Sequence, residues 1–305
     1  ARARLRGRLG IGEGDIVVLW MGRFNHAAKA HPIPACLALE SLARQVPARI
    51  VHLQAGWFAD ADMENSFKDA ARVFAPGVHQ VFVDGRQPDV RRDVWTAADI
   101  FMSLSDNLQE TFGLTPIEAM AAGLPVVVSD WDGYRDTVRD GVDGYRIPTV
   151  MPAAGAGEDL ALGYASGAIP YGAYCGVTSQ MISVDLPRCV EALVALAQDA
   201  GLRQRMGEAG RRRARELFDW RCVIAQYQDL CETLAQVRAR AESSSPRQPG
   251  RPAFALRGDP FEVFAAYPTQ ALAAGLSLRV ANGIAEERVD HLALDHHAQA
   301  ADQLG

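Results

Sequence analysis

Asp15 to Arg23, DIVVLWMGR, is a continuous apolar run that follows a Gly-rich turn. A strand with one wet face alternates apolar and polar residues, whereas a run like this belongs to a strand buried on both faces. Both covers must come from elsewhere in the chain. Gly22 ends the run, and the loop GRFNHAAKAHP then carries Arg23, His26 and Lys29.

The chain beyond this loop alternates in the way such a strand requires. Apolar residues recur at helical spacing over 34–46 and 60–74, with further helices over 88–97, 116–122 and from 136 to 139. Between them, 48–56, 78–85, 98–105 and 125–129 read as strands, and 143–147 as a last edge strand. Strands and helices alternating at this spacing imply right-handed βαβ crossovers and an α/β fold, a doubly wound (Rossmann-like) parallel sheet. From 149 to 187 the pattern gives way to small residues, Gly and Tyr, which reads as an ordered loop insertion at about 150–185. Residues 186–241 are helical in two or three segments, broken at Gly201 and near Asp219. The expected organisation is one domain over 1–241, a linker over 242–252 (ESSSPRQPGRP) and a small helical appendage over 253–305 that starts at Gly258-Asp259-Pro260.

Open α/β sheets bind ligands beyond the carboxyl ends of their strands. Those ends carry Gly22-Arg23, Asp84-Gly85, Ser105-Asp106-Asn107 and Asp130. The stretch SLSDNLQETFGLTPIEAMAAGLPVVVSD, 103–130, concentrates the chemistry. Glu110 precedes the turn Thr111-Phe112-Gly113-Leu114, and Glu118 lies eight positions later, inside a helix. Gly113 has no side chain to keep a ligand from the backbone amides, and a helix that opens there offers unpaired N–H groups and a positive dipole end to a phosphate. Arg23 and Lys29 are placed to neutralise the same anion.

Each of these residues also has a structural reading. Arg23 and Lys29 can be solvated cations, Asp106 and Asn107 can cap a turn, and Thr115-Pro116-Ile117-Glu118 fits a capping box with Pro116 at the first helical position. Trp20, Trp57 and Trp131 read as packing residues. His291, His296 and His297 read as a solvated helix face rather than a metal site. Neither GxxxxGK[ST] nor GxGxxG is present, which disfavours ATP and NAD in their usual cradles.

The net charge of −6 argues against a general nucleic-acid binder. Cys36, Cys175, Cys189, Cys222 and Cys231 are odd in number and lack CxxC spacing, so free thiols in a reducing compartment are expected, with no zinc site. No apolar run approaches a membrane span and no signal peptide is visible. Arg2, Arg4, Arg6 and Arg8 read as a solvated linker or helix end, with a basic membrane-surface segment as the alternative.

The ordered set GR…K, VFVDG and AADIFMSLSDNLQETFGLTPIEAMAAGLPVVVSDWDG resembles the nucleotide-sugar-binding domain of glycosyltransferase family 4, retaining enzymes of the GT-B fold. Glu110 and Glu118 match that family's EX7E motif. The resemblance covers about 10–148 closely and 186–241 loosely, and leaves out the insertion and the appendage. It implies a hexosyltransferase of carbohydrate biosynthesis, with a nucleotide-diphosphate sugar as donor and a glycan, lipid-linked or small-molecule acceptor. Arg23 and Lys29 would bind the diphosphate without any metal or other cofactor. Glu110 would approach the donor sugar's hydroxyls, the amides of Phe112, Gly113 and Leu114 would contact sugar and phosphate, and Glu118 would accept from the ribose. Val83 and Asp84, with Gly85, would lie against the base, and Gly22, Asp106, Asn107 and Thr111 complete the expected contact set. Complete members carry an N-terminal acceptor domain ahead of this one, so the expectation is a donor domain cut from a longer protein. Its expected place is the cytoplasm or, peripherally, the inner face of the membrane. Two rival readings stand beside it: a non-catalytic nucleotide-sugar-binding or scaffolding module, and a GT-B-type epimerase.

Overall fold

The computed structural model describes residues 2–244. The expected linker from 245, the appendage at 253–305 and the three late histidines lie outside them. The chain divides into two compact units, 1–232 and 233–305.

In chain order the elements are α1 (Arg2–Arg8), β1 (Ile16–Phe24), α2 (Pro32–Ala43), β2 (Ile50–Phe58), α3 (Ala61–Phe74), β3 (His79–Asp84), α4 (Pro88–Ala97), β4 (Ile100–Ser103), α5 (Leu114–Ala122), β5 (Val126–Ser129), α6 (Tyr134–Thr137) and β6 (Gly144–Ile147). Then come β7 (Thr149–Val150), α7 (Glu158–Ala165), α8 (Tyr171–Gln180), β8 (Ser183–Val184), α9 (Leu186–Gln198), α10 (Ala200–Leu217) and α11 (Trp220–Ser244). Six strands form one parallel sheet in the order β3-β2-β1-β4-β5-β6, the doubly wound arrangement. Among the described residues no helix is long and apolar enough to cross a membrane.

The central strand shows why its sequence is apolar without interruption. Ile16 and Val18 belong to a core with Leu39 and Leu42 of α2 and Leu193 and Leu196 of α9. Val17 and Leu19 belong to the opposite core, with Val94 of α4 and Met120 of α5. Successive side chains point to opposite faces of a strand, so both cores draw on each pair of neighbours. Full burial of each such side chain contributes about 1.5–3 kcal/mol.

Several boundaries depart from expectation. β1 does not stop at Gly22, because Phe24 is 1% exposed and stacks on Phe58 with ring centroids 4.1 Å apart. Arg23 is therefore a strand residue rather than a loop residue. The helical break expected at Gly201 falls at Asp199, which ends α9 and caps α10 by accepting from Leu202 N at 2.8 Å. The insertion is not a loop throughout. A two-residue antiparallel ladder between β7 and β8 closes its base, and it contains α7 and α8. The final helix runs through 242–244, the first residues of the expected linker.

The N-terminal arginines belong to a helix, α1, rather than to a linker. Arg6 is 4% exposed and donates to Asp99 Oδ2 at 2.6 Å, Ala97 O at 2.9 Å and Gly12 O at 3.0 Å. Arg2 reaches Asp99 Oδ1 and Ala98 O, and Arg4 reaches Asp93. These bonds fasten α1 to the junction of α4 with β4.

Candidate functional site

In this strand order the chain turns back between β1 and β4, so the loops that leave their carboxyl ends part to opposite sides and open a crevice. A cavity of about 300 Å³ lies there. Trp20, Met21 and Gly22 of β1 form one wall, and Ser103, Ser105 and the 110–115 turn form the other. Lys29 and Tyr134 complete it.

The start of α5 opens onto this cavity. Its cap residue Gly113 has φ +79°, the left-handed region, and a Cβ there would lie 2.1 Å from the Tyr134 ring. Glycine is thus required twice over, by conformation and by space. Tyr134 is 1% exposed, and its hydroxyl lies 2.8 Å from Ser103 Oγ. Burial above all, and then the charge of Glu110, hold the phenol well above its ordinary pKa, against the opposing hydrogen bond from Ser103. It stays protonated and works as a wall. No side chain caps the helix start. Its first amides therefore face the cavity with the positive end of the dipole.

The capping box does not form. α5 begins at Leu114, so Thr115 lies inside the helix and cannot be its cap. Glu118 is exposed on α5. What desolvation its carboxyl suffers raises its pKa, and Arg91 on α4 opposes that. The structural role that competed with ligand binding at Glu118 is gone.

Lys29 is presented by a tight turn. Asn25 Oδ1 accepts from the amides of Ala27 and Ala28, both at 2.9 Å, and Lys29 N donates to Asn25 O at 2.9 Å. The ammonium lies 3.7 Å from Glu110 Oε2, a pair whose carboxylate is 16% exposed. Arg23 is exposed beside the wall residue Gly22 and has no partner among the described residues.

Of the expected contact residues, the structure brings Gly22, Lys29, Glu110, Thr111, Phe112, Gly113 and Leu114 to one cavity. Arg23, next in sequence to Gly22, and Glu118, one turn along α5, are not among its lining residues. Asp106 and Asn107, 3% and 0% exposed, lie behind the wall. Asn107 does cap a turn, since Gln109 N donates to its Oδ1 at 3.0 Å, while its Nδ2 donates to Ala27 O at 2.7 Å. Asp106 carries a proton to about pH 7, because burial raises its pKa against backbone hydrogen bonds from its own amide and that of His31. Val83 and Asp84 line a separate cavity of about 340 Å³ with Phe24, Trp57 and Arg86. Among the described residues only β1 touches both, through Gly22 and Phe24. Ser103 and Tyr134 are wall residues that the sequence does not single out, while Ser105 reads there only as a strand end and Trp20 only as a packing residue. Their signal is position alone, at or just past the carboxyl ends of strands.

A space of this size, lined by one ammonium, one carboxylate and an uncapped helix start, suits a ligand that is anionic at one end and hydroxylated at the other.

Residues 1–157 match the family model described as glycosyl transferases group 1. The phosphatidyl-myo-inositol mannosyltransferase of Mycobacterium leprae is 32% identical over 136 residues, 45% of this chain and 27% of that protein. The D-inositol 3-phosphate glycosyltransferase of Geodermatophilus obscurus is 28% identical over 282 residues, 84% of this chain and 49% of that protein. The chain spans about half or less of the length of the curated relatives it matches. Among solved structures, Anabaena HepE in complex with UDP and glucose superposes with a TM-score of 0.52 at 19% identity, over 76% of this chain and 51% of that one. At that identity the likeness shows the shared fold.

Proposed function

The chain belongs to the group 1 glycosyl transferases, and we propose from that premise that the cavity between β1 and α5 holds the donor of a retaining transfer, a nucleotide-diphosphate sugar. One observation carries the reading: Lys29 Nζ stands 3.7 Å from Glu110 Oε2 in the cavity onto which the uncapped start of α5 opens. Lys29 and Glu110 neutralise each other across 3.7 Å. When the diphosphate arrives, Lys29 turns to it, and Glu110 is released to accept from the sugar's hydroxyls.

In the reaction the bond from the anomeric carbon to the β-phosphate oxygen breaks, and negative charge grows on that phosphate. Lys29, Arg23 and the α5 amides stabilise it, so no metal is needed. The acceptor hydroxyl bonds to the anomeric carbon on the same face, and its proton passes to the departing phosphate. Glu118, free of any capping role, accepts from the ribose hydroxyls, and the base extends along β1 into the second cavity, where Val83 and Asp84 line it. Lys29 thus holds a leaving group, a role that a charge-assisted hydrogen bond serves well.

Calorimetric titration with UDP-, GDP- and ADP-glucose tests this. One of the three is expected to bind, and Lys29→Ala is expected to weaken it by about 10- to 100-fold, the worth of one hydrogen bond to a charged group. No binding by any of them, or an indifferent Lys29→Ala, refutes the assignment.

A further inference from the structure

The insertion plays no part in the donor reading, yet one of its helices lies against the turn that presents Lys29. That turn is tied down on three sides. Asn25 holds the amides of Ala27 and Ala28, Asn107 Nδ2 holds Ala27 O at 2.7 Å, and Ser105 Oγ donates to Lys29 O at 3.4 Å. The fourth side is α8. A Cβ built on Gly176 would lie 2.9 Å from Ala27 Cβ and 3.2 Å from Ala27 Cα.

Gly176 is in the middle of α8 and is not among the glycines with positive φ, so its conformation does not call for glycine. Glycine inside a helix costs about 1 kcal/mol relative to alanine. What it allows here is close approach. Its neighbours on the same face, Cys175 and Ser179, are both 1% exposed, and Ser179 Oγ donates to Gly176 O at 3.0 Å. This side of the insertion is packed shut.

We infer that Gly176 is a positioning residue for the donor site, and that the insertion acts through α8 as a buttress keeping Lys29 at the cavity. The inference rests on the donor reading of that cavity. A methyl group on Gly176 can be accommodated only if Ala27 or α8 gives way. Retreat of α8 would uncover Cys175 and Ser179. Retreat of Ala27 would stretch its bond to Asn107 and carry Lys29 with it. Glu110 is tied to the backbone of Asn107 rather than to the moving side-chain bond, its amide donating to Asn107 O at 3.1 Å. The substitution therefore moves one member of the pair and leaves the other.

The test is titration of the full chain with UDP, GDP and ADP, alongside hydrogen exchange over 25–31. Gly176→Ala is expected to weaken the tightest binder by about three- to tenfold, as overpacking at a coupled contact does, and Gly176→Val to weaken it further. Exchange over 25–31 speeds up in the same order. Adding Ala27→Gly to Gly176→Ala removes the opposing methyl and restores both readouts. In a Lys29→Ala background, Gly176→Ala changes affinity no further, because its effect runs through Lys29. Unchanged affinity in a folded Gly176→Val overturns the inference, as does a loss that persists undiminished in Lys29→Ala or is not rescued by Ala27→Gly. If Gly176→Val does not fold, the milder Gly176→Ala and its rescue decide. Absence of binding by the wild-type chain overturns the donor reading and this inference with it, whereas binding that ignores position 176 overturns this inference alone.

Discussion

At the residue scale, the cavity depends on groups that stand behind its wall. Asp106 accepts from the His31 amide and leaves Oδ1 without a partner among the described residues. Burial pushes its carboxyl up from 3.8 to about 7. The folded chain thus holds a proton that the unfolded chain has already released, so this group's contribution to stability is whole below pH 3.8 and is lost as pH rises through about 7. His31, lowered by burial first and by His26 second, acts in the opposite sense, its contribution being lost as pH falls. Comparing variant with wild type at each pH isolates Asp106. Urea unfolding of Asp106→Asn is expected to show a gain over wild type on the order of 2–4 kcal/mol at pH 8, narrowing towards pH 4. A difference that does not vary with pH would show that Asp106 is not the group that titrates. The sequence marks Asp106 as a candidate but does not show it behind the wall, since burial is settled by what packs from elsewhere. Glu118 is the converse case. Thr115-Pro116-Ile117-Glu118 spells a capping box, and only the φ of Gly113 shows that the helix starts too early to use it.

At the element scale, legibility tracks the range of the interactions. Strands and helices built from local period, such as α4 at Pro88–Ala97, are legible at their observed bounds. α1 is not, because what gives its arginines a structural role lies far along the chain. Arg6 and Asp99 are 93 positions apart, and nothing near Arg6 announces the contact. The insertion reads as a loop for a related reason: its small residues carry little periodicity, and α7 buries none of its side chains. Asp99 ties the α1 clamp to the sheet, accepting from Arg2, Arg6 and the Val17 amide at 2.8 Å. Removing Arg6 would leave a largely buried carboxylate, 11% exposed, with one partner fewer. Arg6→Ala is expected to cost about 3–5 kcal/mol in chemical denaturation, the range for breaking a buried ion pair, and Asp99→Asn added to it is expected to recover part of the loss. A cost near that of an exposed pair, below about 1 kcal/mol, would mean that α1 is held by packing alone.

At the scale of the whole molecule, a single sheet carries two cores, one on each face, and β1 belongs to both. The unit at 1–232 is therefore expected to unfold as one. The cavity spans the place where the two halves of that sheet meet, with Lys29 and Gly22 on the β1 side and Glu110 and the α5 start on the β4 side. A donor bound across it links both halves, and binding that favours the native state alone adds stability by mass action. At a hundredfold excess over the dissociation constant, the gain is about 2.7 kcal/mol. For a unit of this size, each kcal/mol raises the melting temperature by roughly 2–4 °C, so the nucleoside diphosphate that binds is expected to raise it by about 5–10 °C. Differential scanning calorimetry at fixed ligand concentration measures this. The transition for 1–232 should move as a single peak, and Lys29→Ala should lose most of the movement. Loss of the Lys29–Glu110 pair itself does not account for such a change, since a pair with a 38% exposed ammonium is worth at most about 1 kcal/mol. Two outcomes refute the picture of a ligand held jointly by the two halves: a peak that splits on ligand addition, or an equal shift in Lys29→Ala.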